Sequence, residues 1–133
     1  MVLFRPVGLK ELELIAELEW RAFPPRLPIQ PIFYPVLNET YAEQIARGWN
    51  TKDAASGFVG FITRFEVEDS HAAKYEVQIV GAAIHQELWV PAEELEAFNE
   101  AIIGEIEVIA SFKGDQYPGE LDPDSGLPTH LRR

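Results

Sequence analysis

Phe58-Val59-Gly60-Phe61-Ile62-Thr63-Arg64-Phe65-Glu66-Val67 is the stretch that decides the fold. Val59, Phe61, Phe65 and Val67 fall on one side, and Arg64 and Glu66 on the other. That period of two belongs to a β-strand, whose successive side chains leave opposite faces. Moving toward the C-terminus, Tyr75, Val77 and Ile79 repeat the pattern after a polar turn over 69–73. A third run over 84–90 follows the break at Gly81, and Ile106, Val108, Ala110 and Phe112 form a last strand. Between these two, Pro91 suits the first turn of a helix that turns Leu95 and Phe98 inward and keeps Glu93, Glu94 and Glu96 wet.

Moving toward the N-terminus, the pattern changes. Residues 50–57 form a polar turn region. Asn38 is a good N-cap, Glu39 favours a helix start, and Gly48 is a stop, so the spacing predicts a helix over 39–47 with Tyr41, Ala42 and Ile45 on one face. Ile32-Phe33-Tyr34 reads as a short strand. The preceding residues 23–31 hold four prolines and form a stiff, extended loop, a feature more often functional than filler in a compact domain. Leu12, Ile15 and Ala16, widened by Leu14 and Leu18, predict an amphipathic helix over 9–20 whose wet side carries Lys10, Glu11, Glu13 and Glu17. Leu3-Phe4-Arg5-Pro6-Val7 is a first strand. It lies near a sheet edge, because Pro6 has no N–H to give to a ladder.

Strands gathered in the second half favour an α+β fold with a mainly antiparallel sheet and about three helices. The domain is expected to span 1–113. From Gly114 the periodicity stops, and residues 114–133, rich in Pro, Gly and Asp, read as a weakly structured acidic tail.

Composition narrows the function. The chain has 133 residues, 47% apolar, enough for one core. It has no cysteine, which excludes disulfides and thiolate metal sites and agrees with a reducing compartment. No basic leader and no apolar run of about 18 residues is visible, so the expected address is the cytoplasm. A net charge of -11 repels phosphate backbones and anionic lipids, so neither nucleic acid nor membrane is an expected partner. The P-loop, the dinucleotide fingerprint, the H-E-x-x-H helix, the EF-hand loop and the G-x-S-x-G elbow are all missing. His71, His85 and His130 are scattered without zinc spacing, so no metal is expected.

Three segments break the pattern: Arg5, a charge inside an apolar strand; the aromatic run 32–38; and His85-Gln86-Glu87, polar residues opening an apolar strand. A strand with Arg, a helix, an aromatic strand, a helix and a later strand opening with Glu resembles the ADP-ribosyltransferase architecture, a split antiparallel sheet. The stretches LFRPVG, RAFPPRLPIQPIFYPVLNETYAEQIA and HQELWVPAEELEAFN also resemble a family of short bacterial proteins labelled "ADP-ribosylation/crystallin J1". The transferase resemblance implies NAD as cofactor. It implies Arg5 as the holder of the dinucleotide, Phe33 or Tyr34 as the nicotinamide wall, and Glu87 as the carboxylate that steadies the oxocarbenium-like ribose. His85 would then carry a proton, and Arg26 in the proline loop and Asn38 at the helix start complete the candidate cofactor contacts. The implied activity is ADP-ribosyl transfer or NAD hydrolysis. Position 85 is His where arginine-modifying transferases place Gln or Glu, and Phe33-Tyr34-Pro35 stands where others carry Ser-Thr-Ser. These departures keep a second class open: a non-catalytic module binding a nucleotide-like ligand or a protein, a homodimer being one form of the latter. Each candidate also has a plain structural reading. Arg5 pairs with a surface carboxylate, Tyr34 is a core aromatic with its hydroxyl at the rim, Glu87 is an exposed strand residue paired to a neighbouring lysine or arginine, His85 is a satisfied structural histidine, and the proline loop is a stiff cover.

Overall fold

The structure is a computed structural model and describes residues 1–131. The alternating segment is β3 (Val59–Val67), and it is the middle strand of the sheet. It pairs antiparallel with β1 (Val2–Val7), from Val2 opposite Glu66 to Val7 opposite Phe61. On its other side it pairs antiparallel with β7 (Ile102–Lys113), with register shifts after Ile62 and after Arg64.

Both faces of β3 are covered. Val59, Phe61, Phe65 and Val67 join Leu3 and Val7 in the larger core cluster. Leu12 and Ile15 of α1 (Leu9–Glu17) belong to the same cluster. On the opposite face Ile62 packs with Val36 and with Ala42 and Ala46 of α2 (Glu39–Gly48). Small residues let this helix sit close. A Cβ on Gly60 would lie 2.8 Å from the Asn50 Cβ and 3.1 Å from the Ala46 Cβ, closer than van der Waals packing tolerates.

β2 (Ile32–Phe33) pairs antiparallel with β6 (Val90–Pro91) as a separate ladder, and β4 (Val77–Ile79) pairs antiparallel with β5 (Gln86–Leu88). Single bridges from Phe4 to Val36 and from Val36 to Glu87 join β5 and β4 to the free edge of β1. The class is α+β with antiparallel pairing throughout. Among the described residues no helix is long and apolar enough to cross a membrane.

Four expectations are corrected. First, α1 ends at Glu17 instead of running to Trp20. Glu19 and Trp20 turn left-handed (φ 59° and 63°), a conformation that costs about 1–2 kcal/mol per non-glycine residue. The turn lets Trp20 bury to 6% exposure and its carbonyl accept the Ile106 N–H at 2.7 Å. Second, the segment read as a polar turn over 69–73 holds a helix, a fourth among the described residues. This helix, α3 (Asp69–Ala72), is a single turn closed by the Glu68 carbonyl and anchored by buried Ala72. Third, Pro91 lies in β6, and α4 (Leu95–Glu100) begins only after a tight turn over Ala92–Glu94.

The fourth correction concerns the tail. Tyr117 and Leu127 are buried in the main core, so the packed domain does not end at 113. Leu121 bridges Pro128, Gly126 gives its N–H to the Asp122 carbonyl, and His130 Nε2 lies 2.8 Å from Glu13 Oε2 on α1. Turns, not a repeating element, hold this segment, so periodicity is blind to it. Arg132 and Arg133, part of the expected tail, lie outside the described residues.

Candidate functional site

The site begins with a missing amide hydrogen. Phe4 and Val36 exchange both backbone bonds, Phe4 N–H to Val36 O at 2.9 Å and Val36 N–H to Phe4 O at 2.7 Å. In antiparallel register the next such rung joins positions 6 and 34. Pro6 has no N–H, and the Tyr34 carbonyl instead accepts from Arg5 Nη1 at 3.3 Å. The ladder therefore opens beyond Phe4, and a cleft of about 840 Å³ occupies the gap, walled by Arg5, Glu11, Arg26, Tyr34, Glu87 and Trp89.

The two sides of the gap carry different chemistry. Strand alternation turns Arg5 to the α1 side, where it lies over the buried Phe33 ring, 4.6 Å from the centroid. Its Nε and Nη2 fork onto the two oxygens of Glu11 at 2.7 and 2.9 Å. The side chains of this pair are only 11% and 22% exposed, so the fork is well shielded from water. Glu11 sits in the first turn of α1, where a carboxylate also suits the helix dipole. Gly8, just before that turn, has no Cβ because Ser56 fills the space: a Cβ would lie 2.6 Å from the Ser56 Cα.

Arg26 reaches the same aromatic shelf, its guanidinium carbon 5.9 Å from the Phe33 centroid. Among the described residues it makes no hydrogen bond or ion pair, and its Nε is buried without a partner. Burial first, then the charge of Arg5, lower its pKa, while Glu11 and Tyr34 act in the opposite sense. An arginine still keeps its charge under such conditions.

Glu87 belongs to the α2 side. It is 8% exposed, and each carboxylate oxygen takes one neutral donor, Oε2 from the Tyr41 hydroxyl at 3.0 Å and Oε1 from Trp89 Nε1 at 2.8 Å. It has no ion pair among the described residues. Burial, the hydrogen bond to Glu87 and the charge of Glu87 together push the Tyr41 hydroxyl up to about 12. Because this folded value lies above the ordinary 10.0, the interaction stabilises the protein below pH 10 and is lost as pH rises through about 12. Burial also raises the Tyr75 and Tyr117 hydroxyls, so spectrophotometric titration should show several late-ionising tyrosines, and Tyr41→Phe should remove the step near pH 12 alone. A normal titration of Tyr41 would break the proposed contact with Glu87. Tyr34, Trp49 and Trp89, exposed by 41, 62 and 43%, add aromatic surface to the cleft wall.

Of the residues singled out in the sequence, the structure brings Arg5, Arg26, Tyr34 and Glu87 to one cleft and places three elsewhere. Phe33 is fully buried and forms the shelf beneath the guanidiniums, not the wall. Asn38 is consumed by structure: its Oδ1 caps α2 by accepting the Tyr41 N–H at 2.7 Å, and its Nδ2 donates to the Ile84 carbonyl at 2.7 Å. His85 lies outside the cleft, stacked on Tyr41 with ring centroids 4.6 Å apart. Its Nδ1 accepts the Ala82 N–H at 3.2 Å, which leaves Nε2 to donate to Gln44 Oε1 at 2.8 Å. With both nitrogens engaged it braces Tyr41 from outside the cleft. Tyr41, Trp89 and Glu11 are the residues that sequence reasoning missed. Glu11 carried a usable signal, an acid in the first helical turn just after a charged strand residue. Among the described residues no three His, Asp or Glu side chains come together in a way that could hold a metal ion.

Searches for related protein-family models, curated proteins and solved structures return no match, so the site's own geometry carries the functional reading.

Proposed function

We propose that the cleft binds a small nucleotide-like ligand, with its anionic group on Arg26 and its planar group against the aromatic wall. The observation that carries this reading is the state of Arg26. A guanidinium whose Nε is buried without an acceptor is costly, and it persists here although the chain has 22 acidic residues against 11 basic ones. The flanking prolines at 24, 25 and 28 stiffen the loop and hold the fork in place. Its unused donors suit a phosphate or carboxylate, which an arginine grips in a bidentate way. A volume of about 840 Å³ falls in the range of small-molecule pockets.

Arg5, which the transferase resemblance would assign to the diphosphate, has two of its nitrogens committed to Glu11. In this reading it positions the Tyr34 carbonyl and the Phe33 shelf, and Arg26 takes the anion.

A second reading is NAD-dependent ADP-ribosyl transfer or NAD hydrolysis, as the resemblance to the ADP-ribosyltransferases and to the "ADP-ribosylation/crystallin J1" family implies. It is favoured by Arg5, Tyr34 and Glu87 meeting at one cleft although they are far apart in the chain. Glu87, a shielded carboxylate at the wall, would supply the anion that such chemistry needs. Either reading suits the cytoplasm.

Calorimetric titration with AMP, ADP-ribose and NAD separates the two. Binding of all three, weakened at least about tenfold in Arg26→Ala, is expected, since a hydrogen bond to a charged group is worth about 1.5–3 kcal/mol. Nicotinamide release from NAD that disappears in Glu87→Gln would select the second reading. Failure of the two NAD-derived ligands would overturn the second reading, and failure of these ligands and of GMP alike to bind at millimolar concentration would overturn both.

A further inference from the structure

We infer that the Glu87 end of the cleft reads a donor–donor edge, so that among purine nucleotides the protein selects guanine. This rests on the nucleotide reading above and adds the identity of the base. A carboxylate only accepts hydrogen bonds, and its two oxygens offer about four lone-pair sites. Tyr41 and Trp89 occupy one site on each oxygen. Glu87 has no cation beside it among the described residues, and it lines the cleft. A ligand atom that meets it must therefore donate; an acceptor placed there would be repelled.

The purines differ in this respect. Guanine presents N1–H and the N2 amino group side by side, two donors for one carboxylate. Hypoxanthine keeps only N1–H. Adenine sets the unprotonated N1, an acceptor, beside its amino group, so any two-point approach puts a lone pair against the carboxylate. Trp89 adds to this end: its Nε1–H is pinned to Glu87, so the indole is held beside the carboxylate with 43% of the residue still exposed as a stacking face. The phosphate cannot share this end, because the carboxylate repels it. It belongs at Arg26, on the α1 side of the gap. The ligand then lies through the opening at Pro6, base on the α2 side and anion on the α1 side.

Calorimetry on the full chain with GMP, IMP and AMP tests this. The expected order is GMP tightest, then IMP, then AMP, with GMP ahead of AMP by at least about tenfold, the scale of one charge-assisted hydrogen bond. Glu87→Gln should narrow that gap to within about threefold, because the amide offers both a donor and an acceptor. Arg26→Ala should weaken all three ligands alike. Equal affinities in the unaltered protein with the Arg26 dependence intact, or a preference for AMP, would overturn the base assignment while leaving the cleft as an anion site. No binding by any of the three would remove both. If Glu87→Gln fails to fold, the ranking of the three nucleotides on the unaltered protein decides alone.

Discussion

Arg5→Met is expected to lower the unfolding free energy by about 3 kcal/mol, near the low end of the roughly 3–5 kcal/mol seen when one partner of a buried ion pair is removed. The low end applies because Glu11 keeps 22% of its side chain exposed, so water can partly solvate the abandoned carboxylate. The change also strips the Tyr34 carbonyl of its donor at a position where Pro6 can offer none. The double variant Arg5→Met with Glu11→Leu should recover most of the loss, since two apolar groups of similar volume need no solvation and sit beside Leu14 and the Phe33 shelf. Urea unfolding of the two single variants and the double variant closes the cycle. A single variant that loses less than about 1 kcal/mol would mean that the fork is worth no more than a surface pair.

Phe33→Ala should cost about 3–5 kcal/mol, as for other buried aromatic truncations. The ring is fully buried, with Phe23 at 5.0 Å and Phe98 at 5.6 Å between centroids, and both guanidiniums lie over it. The informative partner is Phe33→Leu. It keeps an apolar shelf but removes the π face beneath Arg5 and Arg26, a contribution of about 0.5–2 kcal/mol. Phe33→Leu should fold, unfold at lower denaturant, and bind AMP several-fold more weakly, as Arg26 loses its rest. Unchanged affinity in Phe33→Leu would show that the loop prolines alone position Arg26.

Much of this architecture could be read from the sequence because it rests on local period. The alternation of Phe61, Phe65 and Val67 fixes β3 and its inner face, and Leu12 with Ile15 fixes the buried stripe of α1. Pro6 marked a sheet edge for a physical reason that the structure bears out, the lack of an N–H. Arg5 stood out because a charge in an apolar strand needs a partner, and it has one in Glu11, though the pair is shielded where the plain reading put it at the surface. Its partner was assigned to the wet side of α1, because helical spacing says which residues share a face but not what a neighbouring strand brings against that face. His85 was read for its chemistry. Its ring nitrogens are engaged by Ala82 and Gln44 instead, contacts set by a turn and a helix that no spacing rule links. Tyr117 and Leu127 escaped notice because single apolar residues among Pro, Gly and Asp carry no period, although each fills core space.

The gap beside Pro6 gives one imino acid a role out of proportion to its size. Any ordinary residue at that position would bring a hydrogen able to reach toward Tyr34, and the seam between the first strand and the aromatic segment would be free to zip shut. The cleft that opens at this seam would then depend on a single atom that this chain does without.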